Sequence, residues 1–177
     1  GSPTLWSQMA DVVSRFPNAR WSVWDPLNRD TADGFEFVCD FSKAKTIVAL
    51  DSDFLYSHPY ALRYARDFAK RRRVIESGDA EMSRFYAAEP TPTVTGSNAD
   101  HRIATAARDI LPLARALAGE IGTASGAGGV NVHSQWVAAA AHDLKTSRGA
   151  SIVIAGETQP AEVHALVAQI NAALGNN

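Results

Sequence analysis

A chain of 177 residues is long enough to close an apolar core without disulfides or metals, and 46% hydrophobic with 20% charged residues is the composition of a soluble globular protein. A net charge of −2 gives no basic footprint for nucleic acid, and no run approaches the ~18 apolar residues of a membrane span. The single cysteine, Cys39, excludes an internal disulfide and any cysteine-held cluster built from these residues alone, so its expected state is a buried free thiol.

Gly1-Ser2 reads as a cloning scar, and residues 3–177 read as a single α/β domain excised from a longer protein. From Pro3 to Arg15 the residues Leu5, Met9, Val12 and Val13 recur at helical spacing, with Ser2 placed to cap and Pro3 at the first helical position. Arg20 to Trp24 alternates as a short strand ending at Asp25-Pro26, and Phe35 to Phe41 alternates as an edge strand or an extended loop. Thr46 to Leu50 is a β-branched, apolar run that ends abruptly in Asp51-Ser52-Asp53, the pattern of a buried parallel strand delivering polar groups to a sheet edge.

After the Asp51–Pro59 loop, Ala61, Tyr64, Ala65, Phe68 and Ala69 form one helical face. Arg71-Arg72-Arg73 near that helix's end either complements the negative end of the helix dipole or binds phosphate. Arg84 to Ala88 reads as the next strand, and Glu89 to Arg102 as a shaped loop rich in Pro, Thr and Gly. Ile103 to Ile121 has helical spacing, with Pro112 starting or kinking the helix. Gly122 to Gly129 matches neither the dinucleotide fingerprint nor a phosphate loop and reads as a linker. Val130 to Leu144 is expected as a helix, Ser151 to Ala155 as a buried strand, and Pro160-Ala161 as the opening of a last helix.

Alternating strands and helices imply an open, mainly parallel, Rossmann-like three-layer fold with helices on both faces. In such a sheet, ligands bind beyond the carboxyl ends of the strands, where strand order reverses. Four loops are expected there: the one at Asp25, the one at Asp51 and Asp53, the Glu89–His101 loop, and 156–159. Their acidic and threonine-rich rim suits nucleotide hydroxyls, a guanine edge or, through Asp51 and Asp53, a magnesium ion. Each feature also has a structural reading, since an Asp after a strand caps the following turn and an Asp100-His101 pair in a polar loop is a local hydrogen-bonding arrangement. His133, His142 and His164 have no ligand spacing and read as ordinary helix residues.

LDSDFL, the helix YALRYARDFAKRRR, then EMSRFYAAEPTPTVTGSNADHR, and finally IVIAGETQPAEVHALVAQINAALGN together resemble the molybdopterin oxidoreductase family over about Phe35 to Asn177. Within it, the likeness is to the iron–sulfur subunits of bacterial alternative complex III, a quinol-oxidising membrane assembly. The resemblance implies that Asp51, Asp53, Glu89, Thr91, Thr93, Asp100 and His101 correspond to positions that hold the nucleotide of a molybdopterin guanine dinucleotide. Thr91 stands where the catalytic members carry arginine, which removes a fixed positive charge suited to phosphate.

The segment carries no cysteines for an iron–sulfur cluster and no identifiable molybdenum ligand, so no cofactor is expected in it. Molybdopterin guanine dinucleotide and iron–sulfur clusters belong to the parent family. The implied role is a non-catalytic scaffold that docks against other domains of its parent and other subunits of a membrane respiratory complex. The segment is expected to be soluble and not itself inserted, and the parent to be membrane-associated and facing a bacterial periplasm. Two alternatives stand beside it: the nucleotide-cradling domain of an active molybdenum oxidoreductase, and an independent Mg-dependent phosphotransfer or nuclease domain.

Overall fold

A computed structural model describes residues 2–22, 38–73, 82–123 and 133–176. In chain order it contains α1 (Pro3–Arg15), β1 (Thr46–Leu50), α2 (Ala61–Arg72), β2 (Arg84–Glu89), β3 (His101–Ala104), α3 (Ile110–Ile121), α4 (Ser134–Thr146), β4 (Ser151–Ala155) and α5 (Ala161–Leu174). The four strands form one sheet in the order β3-β2-β1-β4, and every pairing is parallel. The expected open α/β architecture with a parallel sheet and helices on both faces is the architecture found.

β1 is buried over its whole length because it is flanked by β2 and β4 and covered on both faces. Its alternate residues serve two cores. Val48 and Leu50, with Tyr86, Ala88 and Val153, face an aliphatic layer from α3, α4 and α5 that includes Leu113, Leu117, Val137 and Ile170. Ile47 and Ala49, with Phe85 and Ala87, face an aromatic layer made by Phe41, Phe54, Tyr64 and Phe68. Phe41 and Phe54 stack at 4.4 Å, and Phe54 and Phe68 each meet Phe85 edge-on at 5.6 Å. Each fully buried large apolar side chain stabilises the fold by about 1.5–3 kcal/mol relative to an exposed one.

The helix ends follow local chemistry. Gly122 ends α3 and Gly175 ends α5 in the left-handed conformation, with φ of 90° and 71°, and their N–H groups bond back to carbonyls of the last turn. Lys70, Arg71 and Arg72 occupy the last turn of α2, where positive charge opposes the helix dipole. Cys39 is half-buried; its backbone N–H donates to the Tyr64 hydroxyl at 3.1 Å, and burial pushes its thiol up to about 11, opposed by Tyr64.

Several sequence expectations are corrected. His101–Ala104 is a parallel edge strand where a loop and the start of a helix were expected, and α3 begins only at Ile110, after a single 3-10 turn at Ala107–Asp109. Four residues at a sheet edge are too few to show a period, and the Ala-rich run after them extended the helical pattern backwards. Arg20–Ser22 is not a strand, and Val38–Phe41 is a loop, the second of the two alternatives for that segment; residues 23–24 and 35–37 of these segments, with Asp25 and the beginning of the helix expected from Val130, lie outside the described residues. The expected α1 is present, but it has no buried residue, and Trp6 is 65% exposed. Among the described residues no helix is long and apolar enough to cross a membrane.

Candidate functional site

The strand order creates one reversal. From β1 the chain steps outward to β2 and β3, then returns to place β4 on the other side of β1. β1 leads into α2 on the aromatic face, whereas β4 leads into α5 on the aliphatic face. The chain therefore leaves β1 and β4 toward opposite faces, and the carboxyl ends of these two strands are the place where a parallel sheet offers a site to a ligand.

Asp51, directly after β1, has φ of 50°, a left-handed conformation that Asp tolerates better than most residues. Its backbone is held by a bond from its N–H to the Ala88 carbonyl at 2.7 Å, and Gln159 donates from Nε2 to its carboxylate at 2.7 Å. Gly156, just past β4, comes so close that a Cβ there would lie 1.8 Å from the Asp51 carbonyl oxygen, so only glycine lets the two loops meet. Burial raises the Asp51 carboxyl above its ordinary range; the Gln159 hydrogen bond opposes this and the charge of Glu89 adds to it. His164, in the first turn of α5, is depressed by burial, against hydrogen bonds to the backbone of Gln159 and Gly156.

Three of the other expected rim residues, Asp53, Glu89 and Thr93, are spent on building the loop. Glu89 ends β2 with 2% exposure. Its carboxylate accepts from the Thr93 hydroxyl at 2.7 Å, the Thr93 N–H at 3.2 Å and Arg102 Nε at 2.6 Å. Thr93 Oγ1 in turn accepts from the Gly96 N–H at 2.9 Å, and a Cβ on Gly96 would sit 1.8 Å from Glu89 Oε1. The 90–100 segment is thus wrapped around one carboxylate. Asp53 accepts from the Thr95 N–H at 3.0 Å, and Thr95 Oγ1 accepts from the Leu55 N–H at 2.9 Å, which ties the loop after β1 to the loop after β2. Thr91 is exposed on this loop.

Asp100 and His101 lie elsewhere. Their register opposite Phe85 and Tyr86 puts them at the amino end of the sheet, because the 90–100 segment crosses back from the end of β2 to the start of β3. Asp100 takes both arms of Arg72, at 2.9 and 2.7 Å, and the Phe85 N–H at 2.8 Å. The Arg72 hydrogen bonds hold its carboxyl below the usual range against the effect of burial. His101 stacks on Tyr86 at 4.6 Å, and its carbonyl accepts from Trp136 Nε1 at 2.9 Å.

A third group at that end escapes sequence reasoning. Asp143 of α4 accepts from the Tyr86 hydroxyl at 2.6 Å and from Arg84 at 2.9 Å. Burial acts to raise the Asp143 carboxyl, and these two hydrogen bonds bring it below the ordinary value. Burial, with the hydrogen bond and charge of Asp143, pushes Tyr86 up to about 12. The sole signal in the sequence is Arg84 and Tyr86 alternating onto one strand face; nothing local points to Asp143.

The positions implied for a molybdopterin guanine dinucleotide are divided between the two ends of the sheet. Glu89 and Thr93 are closed on each other, and Asp100 and His101 are at the far end of the strands. Among the described residues, no three His, Cys, Asp or Glu side chains gather into a metal-holding group. Against known proteins, the chain matches no family model and no curated sequence, which leaves the geometry of its own loops as the guide to function.

Proposed function

We propose that this chain is a non-catalytic scaffold and docking domain of a molybdopterin-oxidoreductase-like electron-transfer subunit of a respiratory complex. Its partners are the other domains of that subunit and neighbouring subunits at a membrane, on the periplasmic side of a bacterium. The observation that carries the reading is the state of Glu89. A carboxylate at the carboxyl end of a central strand is well placed to hold a ligand hydroxyl, yet its hydrogen-bonding capacity is taken by Thr93 and Arg102. A loop that satisfies itself in this way supports a fold kept for shape. Calorimetric titration of the domain with molybdopterin guanine dinucleotide is expected to give no heat of binding, and micromolar affinity would contradict the scaffold.

A second reading, the nucleotide-cradling domain of an active molybdenum oxidoreductase, draws support from Asp51 at the strand reversal between β1 and β4. There Asp51 keeps a neutral partner, Gln159, and no Lys or Arg among the described residues neutralises it, which leaves it suited to a ribose or amide donor. Metal analysis of the full-length parent separates the two: molybdenum at one equivalent supports the enzyme, and its absence supports the scaffold. The Mg-dependent phosphotransfer or nuclease alternative has less behind it, since Asp53 is committed to the Thr95 N–H. It requires thermal stabilisation by Mg²⁺ that Asp53→Ala abolishes.

A further inference from the structure

The sheet ends in β4 on one side and in β3 on the other, and the two edges differ in how their outward backbone groups are met. At β4 the side chain of Asn171 accepts from the Val153 N–H at 3.0 Å and donates to the Val153 carbonyl at 2.8 Å, and Asn176 accepts from the Ser151 N–H at 3.3 Å. These amides stand where a further strand would pair, so this edge is closed.

At β3 the outward groups can be identified from the pairing. The Arg84 N–H donates to the Lys45 carbonyl and the Ala88 carbonyl accepts from the Asp51 N–H, so the backbone of Arg84, Tyr86 and Ala88 faces β1, and that of Phe85, Ala87 and Glu89 faces β3. The Thr105 N–H donates to the Glu89 carbonyl at 3.2 Å, which with the Ala87–Arg102 register turns the backbone of His101, Ile103 and Thr105 toward β2. The N–H and C=O groups of Arg102 and Ala104 therefore point away from the sheet. Among the described residues nothing donates to or accepts from them. The chain enters and leaves β3 over the faces of the sheet, since Ala99 packs on the aromatic layer and Ile110 is buried in the aliphatic one. His101 and Ala104, at the two ends of the strand, are exposed, so the edge lies at the surface.

An open edge is a template for another strand, and β3 is complementary to itself. In an antiparallel pair centred on Ile103, Arg102 lies opposite the partner's Ala104, and Ala104 opposite the partner's Arg102. Both are hydrogen-bonded pairs, so every outward N–H and C=O of the strand finds an answer. The half-buried Ile103 meets its own counterpart at the closely spaced position, where β-branched side chains pack. A pair centred on Arg102 would instead set like charges directly opposite each other. We propose that two copies of this chain join through β3, by antiparallel edge pairing about Ile103, and that the two four-stranded sheets thereby become one. The inference rests on the backbone pairing alone and does not depend on the scaffold reading.

The test is sedimentation of the chain over about a thousandfold range of concentration, with amide hydrogen exchange followed at both ends of the range. A monomer–dimer equilibrium is expected. The Arg102 and Ala104 amides are expected to gain protection in step with the dimer, while those of Ile103 and Thr105, already turned to β2, change little. Ala104→Pro removes an outward N–H and no bond within the sheet, so it is expected to abolish the dimer and leave the fold intact. Ala104→Arg sets like charges opposite each other twice in the symmetric pair and is expected to weaken association about fivefold. Protection at those two amides that grows with concentration supports the pairing, as does loss of the dimer in Ala104→Pro. A chain that stays monomeric throughout leaves this edge to a strand of another protein and overturns the proposal. A dimer that neither variant weakens assigns association to another face, such as the exposed apolar side of α1, and also overturns it. Should Ala104→Pro fail to fold, Ala104→Arg and the wild-type exchange pattern decide.

Discussion

The two ends of the sheet use acidic residues in opposite ways. At the amino end, Asp100 and Asp143 each meet an arginine, Arg72 and Arg84, and both carboxyls lie below their ordinary range. At the carboxyl end Asp51 meets a neutral amide, is raised by burial, and stands in a left-handed backbone conformation. Ion-paired carboxylates are fasteners: they lower the free energy of the fold and have little left for a ligand. A carboxylate held by an amide at a strand reversal remains available. The difference teaches that the acids which look functional in the sequence divide by the end of the sheet they reach, and Glu89, at the carboxyl end, behaves as a fastener because Arg102 and Thr93 reach it.

The comparison is broken most forcefully at Glu89. Glu89→Ala leaves Arg102 and the Thr93 hydroxyl without their acceptor in a buried place and is expected to cost about 3–5 kcal/mol by urea denaturation. A cost within error of zero would mean that the loop does not depend on the carboxylate. Gly156→Ala is next: its Cβ meets backbone, the Asp51 carbonyl, which cannot rotate away, so a loss of about 2–3 kcal/mol is expected. At the amino end, Arg72→Met keeps the aliphatic stem over Phe68 but strips Asp100 of both arms, for about 1–3 kcal/mol at neutral pH.

That loss has a pH signature. Because the folded-state pKa of Asp100 is lowered, its contribution is present above the unfolded value of about 3.9 and disappears as pH falls through the folded value. Wild type and Arg72→Met should therefore converge in stability in acid, and a gap that persists there would remove the ion pair as its cause. Asp51→Asn sharpens the contrast from the other side. The raised carboxyl makes the ionised form unfavourable in the fold, and Asn retains an acceptor for Gln159, so stability at neutral pH should change by less than about 0.5 kcal/mol or rise.

The smallest effect is at His164. A depressed folded pKa means that the unfolded chain binds the proton more readily, so stability rises with pH from the folded value up to about 6.5 and is flat above it. His164→Gln should flatten that window, measured as the slope of unfolding free energy against pH. An unchanged slope assigns it to other groups.

Much of the fold was legible in the residues. TIVAL, RFYAA and SIVIA announced three parallel strands, and Tyr64 with Phe68, or Val163 with Ile170, announced the inner faces of helices. β3 was not legible, because HRIA is an edge strand whose existence depends on pairing with Tyr86 to Glu89, a contact with no local signature. The candidate site was legible only in part. The position of Asp51 beyond a buried strand and the 156–159 loop at the same end could be read, whereas the hydrogen bond to Asp51 from Gln159, 108 residues away in the chain, could not. Asp100 and His101 followed the threonine loop in sequence and were grouped with it for that reason; the crossing of 90–100 carries them to the other end.

By itself the sequence determined what depends on neighbours along the chain: which runs are strands or helices, where glycine ends them, and that polar groups follow β1. The tertiary structure alone decided which of those polar groups are spent. Whether a carboxylate is fastened or free depends on which side chains arrive from distant segments, as Arg102 reaches Glu89 and Arg72 reaches Asp100, and electrostatic and hydrogen-bond energies are set by distance in space and not by separation in sequence.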